Sequence, residues 1–111
     1  MSQPPQVPVT DVLDRLAQGA VLIDVREPNE TSVGHAPQAY LNPMQQFDLA
    51  AVPADTPLLV ICRSGARSNN VAQALMERGF DASNVAGGML AWFAAGLPVV
   101  DASGQPGFIL E

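Results

Sequence analysis

Leu58-Leu59-Val60-Ile61-Cys62-Arg63-Ser64-Gly65-Ala66-Arg67-Ser68 is the stretch that decides how this chain folds. Its first four residues are apolar without alternation, which is how a strand reads when it must bury both faces in a parallel sheet covered by helices. A polar loop holding a glycine follows. From Ser68 to Arg78 the spacing then predicts a helix, with Val71 and Leu75, and Ala72 and Met76, paired four apart, and Gly79 as its stop. Strand, short loop and helix therefore follow one another around Cys62.

Outward from this unit the same alternation recurs. Ala20-Val21-Leu22-Ile23-Asp24-Val25 is a second continuous apolar run, ended where Pro28 denies a ladder donor and forces Glu27 out of helical space. Before it, Thr10 is the expected N-cap of a short amphipathic helix carrying Val12, Leu13 and Leu16, with Gly19 as stop. After it, 30–38 reads as loop or broken helix. Ala39 to Asn42 reads as a short strand, and Pro43 as a helix start whose apolar side is Met44, Phe47, Leu49 and Val52. Val85-Ala86 is a further short strand, and Met89 to Phe93 a final helix stopped by Gly96 and Pro98. Residues 1–8, rich in proline, read as an extended lead-in, and 101–111 as a tail whose Phe108-Ile109-Leu110 can fold back onto the body. The expected fold is one α/β domain over 1–111, its mainly parallel central sheet flanked by helices on both faces.

Composition excludes several partners. The chain has 111 residues, 48% hydrophobic and 14% charged, with formal net charge −6 and no lysine among its five cations. A chain so acidic has no electrostatic footprint for nucleic acid or an anionic membrane. One cysteine and one histidine leave no internal disulfide and no metal site, and no cofactor is called for. No apolar run nears the ~18–20 residues of a membrane span, and the N-terminus lacks signal-peptide character, so a cytoplasmic protein is expected.

The chemistry is expected at Cys62. A cysteine at a strand end, opening onto a helix, faces unpaired backbone N–H groups that favour an anion. Gly65 lets the loop curl so that these groups converge, and Arg63 and Arg67 add positive charge. All of these effects lower a thiol pKa and favour the nucleophilic thiolate. Cys62 and Arg67 enclose four residues, one fewer than the loop that wraps a phosphoryl group in cysteine phosphatases. The tighter ring suits one sulfur atom carried on the cysteine, with a phosphatase or arsenate reductase as the disfavoured alternative.

Four motifs in order resemble the rhodanese family, in particular its small single-domain members: Leu22-Ile23-Asp24-Val25-Arg26-Glu27-Pro28, Gly34-His35-Ala36-Pro37 through Asn42-Pro43, the loop Cys62 to Ser68, and Gly87-Gly88-Met89-Leu90-Ala91-Trp92 through Gly96-Leu97-Pro98-Val99. The resemblance spans roughly Val9 to Val100. It implies a thiosulfate sulfurtransferase in which Cys62 takes sulfane sulfur from a small anionic donor as a persulfide and passes it to cyanide or a cellular thiol. It further implies that the amides of Arg63, Ser64, Gly65, Ala66, Arg67 and Ser68 hold the persulfide, that Arg67, Arg63 and Arg26 face the donor, and that the Ser68 hydroxyl bonds the sulfur. The alternative is a relay or regulatory domain loaded by a partner protein. Asp24 is expected to form a structural ion pair, which competes with donor binding for Arg26, and His35 to be a structural hydrogen-bonder. Trp92, Phe93, Met44 and Met89 read as packing residues. Thr31-Ser32-Val33 and Ala36-Pro37-Gln38-Ala39 depart from the family pattern, where an aromatic residue and Ile-Pro-Gly-Ala are usual. Both departures bear on donor or acceptor preference rather than on the reaction.

Overall fold

The fold is built on Leu58–Ile61, whose four side chains are all buried. A computed structural model describes residues 3–110. Its elements in chain order are β1 (Gln6–Pro8), α1 (Val9–Ala17), β2 (Val21–Asp24), α2 (Pro28–Thr31), β3 (Tyr40–Leu41), β4 (Leu58–Ile61), α3 (Ala66–Glu77), β5 (Ala82–Ala86) and α4 (Gly88–Ala94). The five strands form one sheet in the order β1-β5-β4-β2-β3, every pairing parallel.

Burial on both faces explains the runs without alternation. Leu59, Ile61, Leu22 and Val85 pack on one face with Val9 and Val12 of α1 and Met89 and Trp92 of α4. Leu58, Val60, Ile23 and Ala82 pack on the other with Val71, Ala72 and Leu75 of α3. The tail does fold back: Ile109 is buried in the first cluster, and Phe108 N–H donates to the Val33 carbonyl at 3.2 Å.

Five local expectations change. The lead-in contributes an edge strand, β1, where Pro8 is tolerated because no further strand requires its missing N–H. Residues 1 and 2 lie outside the described range. Since Pro8 closes β1 and caps α1 directly (φ −68, ψ 149), Thr10 lies exposed in the first turn and caps nothing. Residues 28–31 form a helical turn, so the stretch expected from residue 30 onward to be loop or broken helix begins inside a helix. Pro28 starts it, and Glu27 and Glu30 make a reciprocal capping box in which each carboxylate accepts the other's backbone N–H. The helix expected after Pro43 is replaced by two 3-10 turns, Met44–Gln46 and Leu49–Ala51. There the Asn42 amide bonds both the N–H and the carbonyl of Asp48, and the Asp48 carboxylate accepts Ala50 N–H, so side chains take the backbone partners a helix would need. Met44 (37%) and Phe93 (50%) are exposed rather than packed, whereas Met89 and Trp92 are fully buried.

Candidate functional site

Cys62 follows β4 directly, at the carboxyl end of the sheet, where α/β folds place their sites. Its side chain is 1% exposed. Two groups are aimed at the sulfur: Gly65 N–H donates to Sγ at 3.1 Å, and Ser68 Oγ lies 3.2 Å from it. Gly65 takes φ +106, a left-handed conformation that turns its amide back toward the cysteine and starts α3 at Ala66, two residues before the expected start. The loop is clamped from behind by α4, as Met89 N–H donates to the Cys62 carbonyl at 2.8 Å and Leu90 N–H to the Arg63 carbonyl at 3.0 Å. This approach needs Gly88, because a Cβ there would stand 2.4 Å from the Cys62 carbonyl oxygen.

The electrostatics follow from this packing. Burial pushes the Cys62 thiol pKa up; the Ser68 hydroxyl and the backbone N–H groups of Ser68, Gly65 and Ser64 together pull it down further, leaving it below the ordinary cysteine value. Ser64 and Ala66 are exposed on the outer rim of the loop.

The three arginines expected to face a donor are each engaged elsewhere. Arg26 is 1% exposed beside the fully buried Asp24, with Nη2 2.7 Å from the carboxylate and 2.8 Å from the Gly34 carbonyl. It forms a strand-end ion pair that ties β2 to the following loop, which is the structural role expected for it as the alternative to donor binding. Arg63 Nε donates to the Leu110 carbonyl at 2.9 Å and holds the tail. Arg67 makes a two-pronged pair with Glu30 at 2.7 and 2.9 Å. That hydrogen bond is the largest influence on both partners, lowering the Glu30 pKa and raising that of Arg67. Glu30 therefore offsets the charge of Arg67, whereas Arg63, bonded to a neutral carbonyl, keeps its own. His35 is structural, with Nδ1 2.9 Å from the Thr31 carbonyl and its backbone bridged to Val100.

Sequence reading missed two residues of the site. Glu30 has a signal in hindsight, the acidic pair flanking Pro28-Asn29. Asn84 has none: it is a polar residue in β5, 3% exposed, whose Oδ1 lies 2.6 Å from Ser68 Oγ. Among the described residues no group of three His, Cys, Asp or Glu side chains could hold a metal ion, and no helix is long and apolar enough to cross a membrane.

Comparison with known proteins bears on the family and the fold. A model of the rhodanese-like domain family matches residues 8–95. A sulfurtransferase of Allochromatium vinosum is 36% identical over 90 residues, covering 78% of this chain and 84% of that protein. The crystal structure of a rhodanese-like domain protein from Staphylococcus aureus superposes with TM-score 0.73 at 32% identity, covering 79% of this chain and 90% of that one. A rhodanese-related protein from Thermoplasma volcanium gives TM-score 0.79 at 26% identity over 86% of this chain and 97% of that one.

Proposed function

We propose, from the premise that this chain belongs to the rhodanese-like domain family, that it transfers sulfane sulfur through a persulfide on Cys62. The observation that carries this reading is a buried sulfur at a strand end, held by a backbone N–H and a hydroxyl and ionising below the ordinary thiol range. In the first half-reaction the Cys62 thiolate attacks the outer sulfur of thiosulfate. A new S–S bond forms, the sulfur–sulfur bond of the donor breaks, and sulfite leaves with the electron pair. In the second, cyanide or a thiolate attacks the outer sulfur of the persulfide, giving thiocyanate or a new persulfide and restoring the Cys62 thiolate. The loop amides take up the negative charge in both resting forms.

A second reading, a relay domain loaded by a partner protein, is favoured by one observation: Arg26, Arg63 and Arg67 all have partners within the chain. A protein persulfide would bring sulfur to Cys62 without needing a free cation to recognise a dianion.

The test is mass spectrometry of the intact protein after incubation with thiosulfate. A gain of one sulfur atom, removed by cyanide or dithiothreitol and absent in Cys62→Ser, is expected. A Cys62→Ser protein that still turns over thiosulfate would overturn the assignment. Loading by a protein persulfide but not by thiosulfate would select the relay reading. A small aryl phosphate is expected to stay intact.

A further inference from the structure

The Ser68 hydroxyl has one proton and two claimants. Sγ of Cys62 lies 3.2 Å from Ser68 Oγ, and Oδ1 of Asn84 lies 2.6 Å from it. Which way the Asn84 amide points is settled by its other contacts. Its Nδ2 donates to the Gly65 carbonyl at 3.2 Å and to Gln6 Oε1 at 2.9 Å. Gln6 is oriented in turn, since its Nε2 donates to the Pro4 carbonyl at 3.1 Å. Backbone carbonyls only accept, so both amides are fixed with their oxygens directed along the chain Gln6, Asn84, Ser68. Oδ1 of Asn84 therefore faces Ser68 as an acceptor and cannot donate to it.

We propose that Asn84 is a positioning residue that acts through Ser68, holding the hydroxyl proton while Cys62 is a thiol and resisting its release when Cys62 ionises. In the thiol state Ser68 donates to Asn84, and the Ser68 oxygen is free to accept the S–H. In the thiolate state the hydroxyl must turn to the sulfur. That turn breaks the short bond to Asn84 and sets two acceptor oxygens against each other. When Sγ carries a second sulfur, the negative charge moves to the outer atom and Sγ becomes a weak acceptor. The Ser68 proton then returns to Asn84 without penalty. Asn84 thus raises the energy of the free thiolate relative to both the thiol and the sulfur-loaded form, which favours attack on a donor and retention of the cargo. This last consequence rests on the persulfide reading; the placement of the proton does not.

The charged groups around Cys62 do not alter this assignment. On its own loop is Arg63, held by the Leu110 carbonyl, and in the first turn of α3 is Arg67, held by Glu30 of α2. Beside β4 lies the closed Asp24–Arg26 pair at the end of β2. Neither β5 nor α4 carries a charged residue.

The test is the pH dependence of Cys62 alkylation by iodoacetamide, a neutral reagent, in the full-length protein. Asn84→Leu removes the acceptor and is expected to shift the alkylation midpoint down by about one unit, so that alkylation well below the midpoint is about tenfold faster. Asn84→Ala removes the same acceptor with less bulk and gives the same reading if the leucine variant does not fold. In a Ser68→Ala background either change is expected to leave the midpoint where Ser68→Ala alone puts it. A midpoint that stays or rises on loss of Asn84, or a shift that persists undiminished without Ser68, overturns the proposal. Sulfur loading from thiosulfate, measured by mass on the same samples, reads the proposed function separately.

Discussion

Glu30→Gln is expected to improve the use of thiosulfate. In the folded protein both terminal nitrogens of the Arg67 guanidinium are bound by the Glu30 carboxylate, and a dianionic donor that uses that edge of Arg67 must displace it. The pair is partly open to solvent, with side-chain exposures of 36% and 15%, so it falls between a screened surface bridge and a buried one. A two-pronged pair of this kind contributes about 1–1.5 kcal/mol. Relieving that competition lowers KM for thiosulfate by about five- to twelvefold with kcat little changed. Glutamine keeps the hydrogen bond to Glu27 N–H that closes the first turn of α2, so the helix is retained. The assay is steady-state sulfur transfer from thiosulfate to cyanide, at low and at high salt. The gain should shrink at ~1 M salt, where the Debye length is ~3 Å. Protonating Glu30 should mimic the substitution only below the ordinary carboxyl range, because the Arg67 hydrogen bond lowers its pKa against the opposing effect of burial. A KM that is unchanged or higher in Glu30→Gln would refute the idea that this carboxylate restrains Arg67.

Three further outcomes follow from the same geometry. In the unmodified protein, the alkylation rate of Cys62 should rise with pH through a midpoint below that of free cysteine, ~8.5, since the hydrogen bonds to Sγ outweigh burial; a midpoint above it would remove the basis for activation. Arg26→Met strands the fully buried Asp24 carboxylate and should cost ~3–5 kcal/mol in a urea titration, whereas Asp24→Leu together with Arg26→Met should recover most of that loss; equal loss in both would assign the effect to packing. Gly88→Ala places a Cβ 2.4 and 2.6 Å from the Cys62 and Arg63 carbonyl oxygens, at φ +58. It should destabilise the fold by ~2 kcal/mol or more and displace the loop, read as a raised alkylation midpoint.

The elements that bury both faces were the most legible in the sequence. Leu58 to Ile61 reads as a strand with its observed limits, because an uninterrupted apolar run between a proline and a polar loop admits few other solutions. Cys62, Gly65 and Ser68 were legible for a related reason: their contacts are local, within six residues of one another. What escaped depends on distant partners. Arg67 meets Glu30 across 37 residues, and nothing in the loop says which carboxylate will lie over it. β1 has three residues, one of them proline, and is a strand only because β5 offers it an edge. Asn84 lies just before the short strand read at Val85-Ala86, and its place inside β5 depends on Gln6 on one side and Ser68 on the other to satisfy its amide.

The strand order also bears on when the cysteine becomes reactive. β5 is nearly the last element in the chain, yet it lies between β1 and β4, and the Gln6–Asn84 bond spans 78 residues. Contacts of such separation are slow to form, because the closure entropy of the intervening chain must be met first. β2 and β4 can pair early, but β1 has no partner until β5 docks, and the loop behind Cys62 is not clamped until α4 follows. The surroundings of Cys62 are therefore completed last: β5 brings Asn84 against Ser68, and α4 then fixes the carbonyls of Cys62 and Arg63, so the final reactivity of the thiol is set only when the end of the chain has docked.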